Sequence, residues 1–421
     1  MKRLKDSDVL VAGAGPVGMV TALCLAREGL SVRILEQASG PASHSYALAL
    51  HPATLELLDE LGVAAPLMES ALKIDSVGFF EASERKAGLD YSDLDRRYPF
   101  IAVVQQELLE RHLSAALRQV GVDVLWDHRL GRVEQSADGV DVEVDEIENR
   151  YTGYAFAHMD RMVAKRRKLR VPFVIGADGH GSLVRLQSGI GFEETGATEH
   201  YAVFEFDSDA EPKGDMRLGM GPESTDVYWP LPYGQRRWSF QLTDYEVSAF
   251  SREKDRMLAH IEGGGYPLLD TEHLSEFLRE RAPWFDRERI GAFRWRIAVR
   301  FDKRLAERFG EGRVWLVGDA AHMTSPAGVQ SMNCGFREAN HLAARIAALN
   351  RGADFQEAER FHTRFRSEWR LLQGLGSDVE PSSETDPWVA SNLSRIVSSI
   401  PASGEDLRVL LRQLAIELPA P

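Results

Sequence analysis

"DVLVAGAGPVGMVTALCLAREGLSVRILEQ", residues 8–37, decides the fold. Val9 to Ala12 is a short apolar run of the kind that forms a strand buried on both faces. Gly13, Gly15 and Gly18 follow it as G-x-G-x-x-G. After Pro16 the residues Val17, Val20 and Cys24 share one face of a helix, and Gly29 is its C-terminal stop. "SVRILE" is a second strand, ending at Glu36. The glycine spacing has a physical reading. The first glycine allows a tight turn, the second lets a pyrophosphate approach the backbone, and the third lets helix and strand pack closely. The helix N-terminus then offers free N–H groups to the phosphates. Glu36 stands where a carboxylate binds ribose hydroxyls, and its charge repels a 2′-phosphate. The pattern predicts the adenosine of FAD or NAD in preference to NADP.

Two further strand-turn-helix signatures lie far along the chain. In "VPFVIGADGHGSLVR", residues 171–185, an apolar strand ends in Gly176-Ala177-Asp178-Gly179, with Arg185 following. In "GRVWLVGDAAHMTSPAGVQSMNCGFREANHLA", residues 312–343, a strand ends in Gly318-Asp319. A loop of small residues follows, and a helix begins near Met332-Asn333. Between the signatures, "HPATLELLDELG" reads as a helix with Pro52 near its start and Gly62 at its stop. "QQELLERHLSAALRQVG" reads as a second helix, with Leu109, Leu113 and Ala116 on one face. Residues 73–100 are irregularly strand-like, and residues 200–300 hold aromatic strand patterns such as "YAVFEF", "DVYWPLP" and "RRWSFQL".

The nucleotide-binding elements therefore interleave with strand-rich segments. Residues 1–72, 101–199 and 301–375 are expected to form one discontinuous domain, 73–100 and 200–300 a second, and 376–421 a helical tail. A chain of 421 residues exceeds what one hydrophobic core usually serves. A net charge of −14 argues against nucleic acid or an anionic membrane as the main partner. Two cysteines, Cys24 and Cys334, form neither a disulfide framework nor a metal ligand set, and no metal is expected. With no signal-peptide pattern and no apolar run of membrane-spanning length, a cytoplasmic location is expected. The basic run "RMVAKRRKLR", residues 161–170, reads as an inserted, solvated hairpin or as a docking site for a carrier protein or an anionic substrate.

Taken in order, Gly13-x-Gly15-x-x-Gly18, Asp178-Gly179 with Arg185, and Gly318-Asp319-Ala320-Ala321-His322 resemble the FAD-dependent aromatic hydroxylases. These are the group A flavoprotein monooxygenases of the p-hydroxybenzoate hydroxylase type, and the resemblance covers roughly residues 6–350. It implies an α/β fold: a Rossmann-type FAD-binding domain with an interleaved strand-rich substrate domain. It implies that Gly13, Gly15, Pro16, Val17, Gly18, Glu36 and Gln37 hold the adenosine diphosphate half of FAD, with Gln106, Asp178 and Gly179 nearby. Gly318 and Asp319 would hold the ribityl chain. The loop Pro326, Gly328, Val329, Gln330, Ser331, Met332 and Asn333 would lie against the flavin ring, where a helix N-terminus and backbone N–H groups stabilise the reduced anion. The chain departs from the family pattern at six residues. Ser325 replaces the first of two prolines, Val329 and Ser331 interrupt the usual Gly-Gly-Gln-Gly, Glu338 fills the later acidic position, and Tyr46 and Ala53 stand where many relatives carry arginines.

The activity implied is hydroxylation of an aromatic small molecule, phenolic or polyketide- or alkaloid-like, using NADH or NADPH and O2 through a flavin C4a-hydroperoxide. A phenol reacts faster as phenolate, so a base is expected. His44, Tyr46, His200 and Tyr228 are candidates by position, with His51 and Tyr201 beside them, while His322 is expected to pack beneath its loop. Tyr228, Trp229, Trp238 and Phe240 are candidate pocket-lining aromatics. The rivals are a two-component enzyme fed by a separate reductase, a flavin halogenase, to which "FRWRIAV" is only loosely similar, and a catalytically silent FAD-binding module. A monomer or homodimer is expected.

Overall fold

The structure is a computed structural model, and it describes residues 7–41, 47–152, 158–209, 214–244, 246, 269–375 and 379–418. Strand β1 (Val9–Ala12) runs into helix α1 (Pro16–Arg27) and returns as β2 (Val32–Leu35). Strand β3 (Ala47–Leu50) leads into α2 (Pro52–Glu60). A hairpin follows, β4 (Ser76–Glu81) and β5 (Glu84–Asp90), then β6 (Ile101–Gln105), α3 (Gln106–Gln119) and β7 (Val124–Leu125). Three long strands, β8 (His128–Ser136), β9 (Gly139–Thr152) and β10 (His158–Val171), precede β11 (Phe173–Gly176) and the short α4 (Leu183–Gln187). Next come β12 (Glu199–Asp207), β13 (Asp215–Met220), β14 (Thr225–Leu231) and β15 (Gln235–Leu242). After α5 (Thr271–Arg281) lie β16 (Phe293–Phe301), β17 (Gly310–Glu311) and β18 (Val314–Leu316). Helices α6 (Gln330–Asn350), α7 (Gln356–Leu372), α8 (Pro387–Ser391), α9 (Leu393–Ser399) and α10 (Gly404–Arg412) complete the elements that position the site.

The three signatures converge because their strands are neighbours. The first sheet has the order β17-β18-β11-β1-β2-β7, parallel except at its β17 edge. All three motif turns thus leave the same carboxyl edge of one sheet, where open α/β sheets bind ligands. A seven-stranded sheet, β16-β12-β15-β14-β13-β4-β5, draws on both segments of the expected second domain. Its even-numbered residues on β12, β14 and β15, Ala202, Phe204, Phe206, Tyr228, Trp238 and Phe240, pack with Leu274 and Phe277 of α5 into a separate aromatic core. The odd-numbered residues Val227, Trp229 and Leu231 of β14 belong instead to the main core.

The basic run lies on β10, the outer strand of a three-stranded sheet β10-β9-β8. Its cations meet acids on the neighbouring strand β9: Arg166 bonds Asp145, Arg167 bonds Glu146, Lys168 pairs with Glu143, and Arg170 bonds Asp141. Cross-strand pairing of opposite charges holds these four side chains against β9. The tail is built into the molecule: Ile396, Val397, Ile400, Leu410 and Leu411 are buried in the main core. Among the described residues no helix is long and apolar enough to cross a membrane, and no cluster of potential metal ligands occurs.

Candidate active site

The β1–α1 turn is shaped for a phosphate. Gly13 has φ +99°, and a Cβ there would meet the Ala177 carbonyl oxygen at 2.2 Å. A Cβ on Gly18 would meet the Gly13 oxygen at 2.0 Å, so helix and turn touch through bare backbone. Gly15, the N-cap of α1, has nothing within 4 Å of an added Cβ and supplies no side-chain cap. Pro16 and Val17 open the helix, whose first N–H groups therefore face an open space. Glu36 leaves β2 with its carboxylate held by the N–H groups of Ala14 at 2.8 Å and Ala38 at 2.9 Å. These residues fit a dinucleotide. Gln37 is exposed beside Glu36. Gln106 begins α3 and donates to Glu110 Oε1 at 2.7 Å, so its amide stays within the helix.

The second motif serves the third. The Asp178 carboxylate accepts from the N–H groups of Leu183 and Val184 at 2.8 and 3.2 Å and caps α4, although burial raises its pKa. Gly179 turns with φ +75°. Arg185 lies over the Phe192 ring at 3.8 Å, and its guanidinium donates to the Ala320 and His180 carbonyls, both at 2.8 Å. The Asp178-to-Arg185 segment thereby clamps the Gly318-Asp319-Ala320 turn. From below, the buried Glu338 carboxylate accepts from Gly318 N at 3.0 Å and Trp369 Nε1 at 2.7 Å, with His322 Nε2 at 2.9 Å. His322 stacks on Trp369 at 3.8 Å and is fully buried, a structural residue beneath the loop. Gly318 takes φ +61°, and Asp319 is left exposed with Ser331 Oγ as its partner.

Helix α6 begins at Gln330, earlier than its sequence pattern suggests, because Val329 takes a left-handed conformation (φ 48°, ψ 40°) and serves as its N-cap. For a β-branched residue this conformation is strained by about 1–3 kcal/mol and re-aims the chain into the helix. Asn333 fixes it, donating to Val329 O at 2.7 Å and Ala49 O at 2.9 Å and accepting from His51 N at 2.9 Å. Its side chain is thus committed within the protein. His51 Nε2 is 3.1 Å from Gly328 O, and burial lowers the imidazole pKa to about 3. His51 is a neutral support of the loop and not a base. Gly328 has no room for a side chain, since a Cβ would lie 2.9 Å from Ser398 O.

Between this loop and the odd face of the seven-stranded sheet lies a cavity of about 380 Å³. Asp319, Ser325, Pro326, Val329, Gln330, Ser331 and Met332 form one wall. Val227, Trp229, Leu231, Arg237, Ser239 and Phe301 form the other. The wall is largely apolar, with Arg237 held by Glu205 at 2.7 Å and with Arg300 and His180 also at the lining. A larger hollow of about 680 Å³ beside α3 is lined by Pro41, Arg111, Asp123 and Trp126 among others and includes none of the motif residues. The smaller cavity is the candidate site because residues of the third motif line it.

Strand alternation places three of the expected aromatics away from the cavity lining, and with them two of the expected bases, Tyr228 and His200. Tyr228 faces the second core, with its ring centroid 5.1 Å from that of Trp238 and 5.5 Å from that of Trp284, and burial raises its pKa. Trp238 and Phe240 lie in the same core, while Trp229 lines the cavity. His200 shares the even-numbered positions of β12, opposite Leu242 and Arg300, and is absent from the cavity lining. Burial first, and then Arg300, lowers its pKa. His44 and Tyr46 lie outside the described residues. Tyr201, on the odd face, is fully buried, and its hydroxyl lies 3.2 Å from Ser325 Oγ. Both cysteines are buried thiols, with Cys24 pushed up to about 12 by burial. The lining residues Val227, Leu231, Arg237 and Ser239 escaped sequence reading. Their period-2 alternation with the aromatics was the available signal, but it does not say which face meets the loop.

The family described as FAD binding domain matches residues 6–366. A 12-dehydrotetracycline 5-monooxygenase/anhydrotetracycline 6-monooxygenase of Streptomyces rimosus is 30% identical over 363 residues, covering 84% of this chain and 66% of that protein. The pentachlorophenol 4-monooxygenase of Sphingobium chlorophenolicum is 27% identical over 350 residues, covering 82% of this chain and 59% of that protein. The chain thus spans less than two thirds of the length of these curated relatives. The crystal structure of a p-nitrophenol 4-monooxygenase from Pseudomonas putida shares the fold with a TM-score of 0.70 at 23% identity, covering 97% of this chain and 96% of that one.

Proposed function

Because the chain belongs to the FAD binding domain family, we propose that it is an FAD-dependent monooxygenase that hydroxylates an aromatic small molecule with O2 and NADH or NADPH. The observation that carries this reading is the 380 Å³ cavity, which joins the Asp319–Met332 loop to an apolar wall with Trp229 and Phe301. A phenolic or polyketide-like ring is the substrate class that suits such a wall. The relatives named for tetracycline precursors, pentachlorophenol and p-nitrophenol support that class.

The turn glycines, Glu36 and the exposed Asp319 fit FAD, which when bound supplies two-electron reduction by a pyridine nucleotide and activation of O2. The residues of this chain do the rest. The Gly13–Gly18 turn and α1 bind the pyrophosphate with backbone N–H groups. Glu36 binds ribose hydroxyls, and Asp319, steadied by Ser331, binds the ribityl chain. The N-terminus of α6, aimed by Val329, stabilises negative charge at the cavity wall. Val227, Trp229, Leu231 and Phe301 exclude water and hold the aromatic ring. In this reading the pyridine nucleotide reduces the protein directly, without a separate reductase, and no carrier protein is required.

The test is an anaerobic visible spectrum of the purified protein, recorded before and after NADH or NADPH. A flavin spectrum that bleaches, faster with a phenol present, is expected. A yellow protein that stays oxidised with both nucleotides and a phenol panel overturns direct reduction. A colourless protein that also takes up no added FAD overturns the cofactor assignment.

A further inference from the structure

Two methionines stand in the cavity wall, Met323 before the small-residue loop and Met332 after it. Met323 pairs with Arg304 on a short strand that begins at His322. Met332 is the third residue of α6, within its first turn. Both are half-buried, whereas Met19 and Met216 have no exposure. A thioether sulfur is polarisable and takes up oxygen without first losing a proton. A thiol must become a thiolate to do so. Cys24 and Cys334 stand outside this lining, and burial pushes both thiols up, Cys24 to about 12. Met323 and Met332 are therefore the most readily oxidised side chains of the lining.

The activity proposed above makes an oxidant in this cavity, because O2 is reduced there with two electrons from the pyridine nucleotide. With an aromatic ring held against Trp229, Leu231 and Phe301, one oxygen atom goes to the ring and the other leaves as water. With no ring present, the same two electrons and two protons convert O2 to hydrogen peroxide, beside two thioethers. We propose that Met323 and Met332 are sites of self-oxidation, converted to methionine sulfoxide when the protein reduces O2 with no aromatic in the cavity. This rests on the flavin-monooxygenase reading above.

In the step, a sulfur lone pair attacks one peroxide oxygen, an S–O bond forms and the O–O bond breaks. Sulfur is oxidised by two electrons and the peroxide is reduced. One oxygen stays as the sulfoxide, and the other leaves as water with both peroxide protons. The product changes the wall, because a flexible apolar side chain becomes a polar one that carries a strong acceptor. At Met332 that acceptor sits in the first turn of α6, whose N–H groups have no partner within the helix. It competes there for the N–H groups that stabilise negative charge at the cavity wall. Turnover without substrate thus limits itself.

The experiment is peptide mass spectrometry of the FAD-loaded protein after repeated cycles of reduction and reoxidation. The flavin is reduced by light without O2, the light is removed, and O2 is then admitted with catalase present to destroy peroxide that escapes. Light replaces the pyridine nucleotide, so the result does not depend on direct reduction by NADH or NADPH. In these cycles Met323 and Met332 are expected to gain oxygen about tenfold or more faster than the exposed Met162, because the oxidant forms beside them. Hydrogen peroxide added to the oxidised protein is expected to reverse that order, since it reaches Met162 from solvent. Oxidation of the fully buried Met19 and Met216 serves as the control for unfolding. p-Nitrophenol or pentachlorophenol, whichever perturbs the flavin spectrum, is expected to suppress sulfoxide at the cavity pair. Cycles that leave the pair unoxidised, that oxidise Met162 first, or that oxidise the pair equally with a phenol bound overturn the self-oxidation and leave the monooxygenase reading intact. A flavin spectrum that neither phenol perturbs overturns the aromatic-substrate reading, while the order of oxidation still decides the fate of the pair. A protein that takes up no FAD overturns both.

Discussion

Two glycines separate folding from cofactor binding at the scale of single residues. Gly13 has both a left-handed backbone and a carbonyl 2.2 Å from its would-be Cβ, whereas Gly15 opens onto free space. Gly13→Ala is expected to destabilise the protein by more than about 3 kcal/mol, since main chain cannot yield as a side chain can. Gly15→Ala is expected to melt like the wild type yet bind FAD at least about tenfold more weakly, because its methyl occupies the space a pyrophosphate needs. Thermal melting with an FAD titration distinguishes the two. His51 makes a prediction of a different kind. Its pKa falls from 6.5 to about 3 on burial, so the unfolded chain takes up a proton there before the folded one does. The resulting stability is complete above pH 6.5 and is lost as pH falls toward 3, at about 1.4 kcal/mol per pH unit. Denaturant melts between pH 4 and 6.5 are expected to show a shallower dependence in His51→Gln. An unchanged slope contradicts the neutral, buried imidazole.

Alternation along a strand is the element-scale property that divides cavity from core. Trp229 and Tyr228 are adjacent on β14 and point opposite ways, one into the cavity and one onto Trp238. Tyr228→Ala is expected to cost about 3–5 kcal/mol of stability through the void left in the aromatic core. Trp229→Ala is expected to raise KM for the aromatic substrate by about tenfold or more with a smaller loss of stability. Paired melting and steady-state kinetics check both, and equal effects of the two contradict the face assignment. The same property marks where sequence reading stopped. The motif turns were legible because glycine at φ +99° and an acid at a strand end each have a chemical reason visible in one dimension. The side of β12, β14 and β15 that meets the loop was not legible, because a period of 2 fixes which residues share a face but not what that face packs on. The clamp from Arg185 to the Ala320 carbonyl escaped for a related reason: it joins residues 135 positions apart through a backbone oxygen, which carries no residue-type signature.

For the whole molecule, the segment after residue 378 acts as a strap that ties helix α6 to the seven-stranded sheet. Ile400 O accepts from Gln330 at the start of α6 at 3.1 Å, Ser403 Oγ accepts from Arg337 at 2.7 Å, and Pro401 O accepts from Tyr91 Oη at 3.0 Å. Asp406 meets Arg96 at 2.8 Å, and Arg395 donates to Gly221 O at 2.8 Å and to Thr225 Oγ1 at 3.0 Å, at the turn that leads into the cavity strand β14. A polar start at Gly376-Ser377-Asp378 is compatible with a cap and with a loose tail alike. The buried Ile396, Ile400, Leu410 and Leu411 decide for the cap. A chain ending after residue 375 exposes the main core beneath those side chains and is expected to aggregate or to lose FAD, which size-exclusion chromatography with flavin absorbance detects. That deletion alone does not separate stability from function, but Arg395 does. Its hydrogen bonds from a charged donor are each worth about 1.5–3 kcal/mol, yet they hold one turn and not the core. Arg395→Met, which keeps the apolar stem, is therefore expected to remain folded and yellow while KM rises about tenfold, because the turn that aims Val227 and Trp229 is released. A KM equal to that of the wild type, in a variant that retains FAD, limits the strap to a stabilising role.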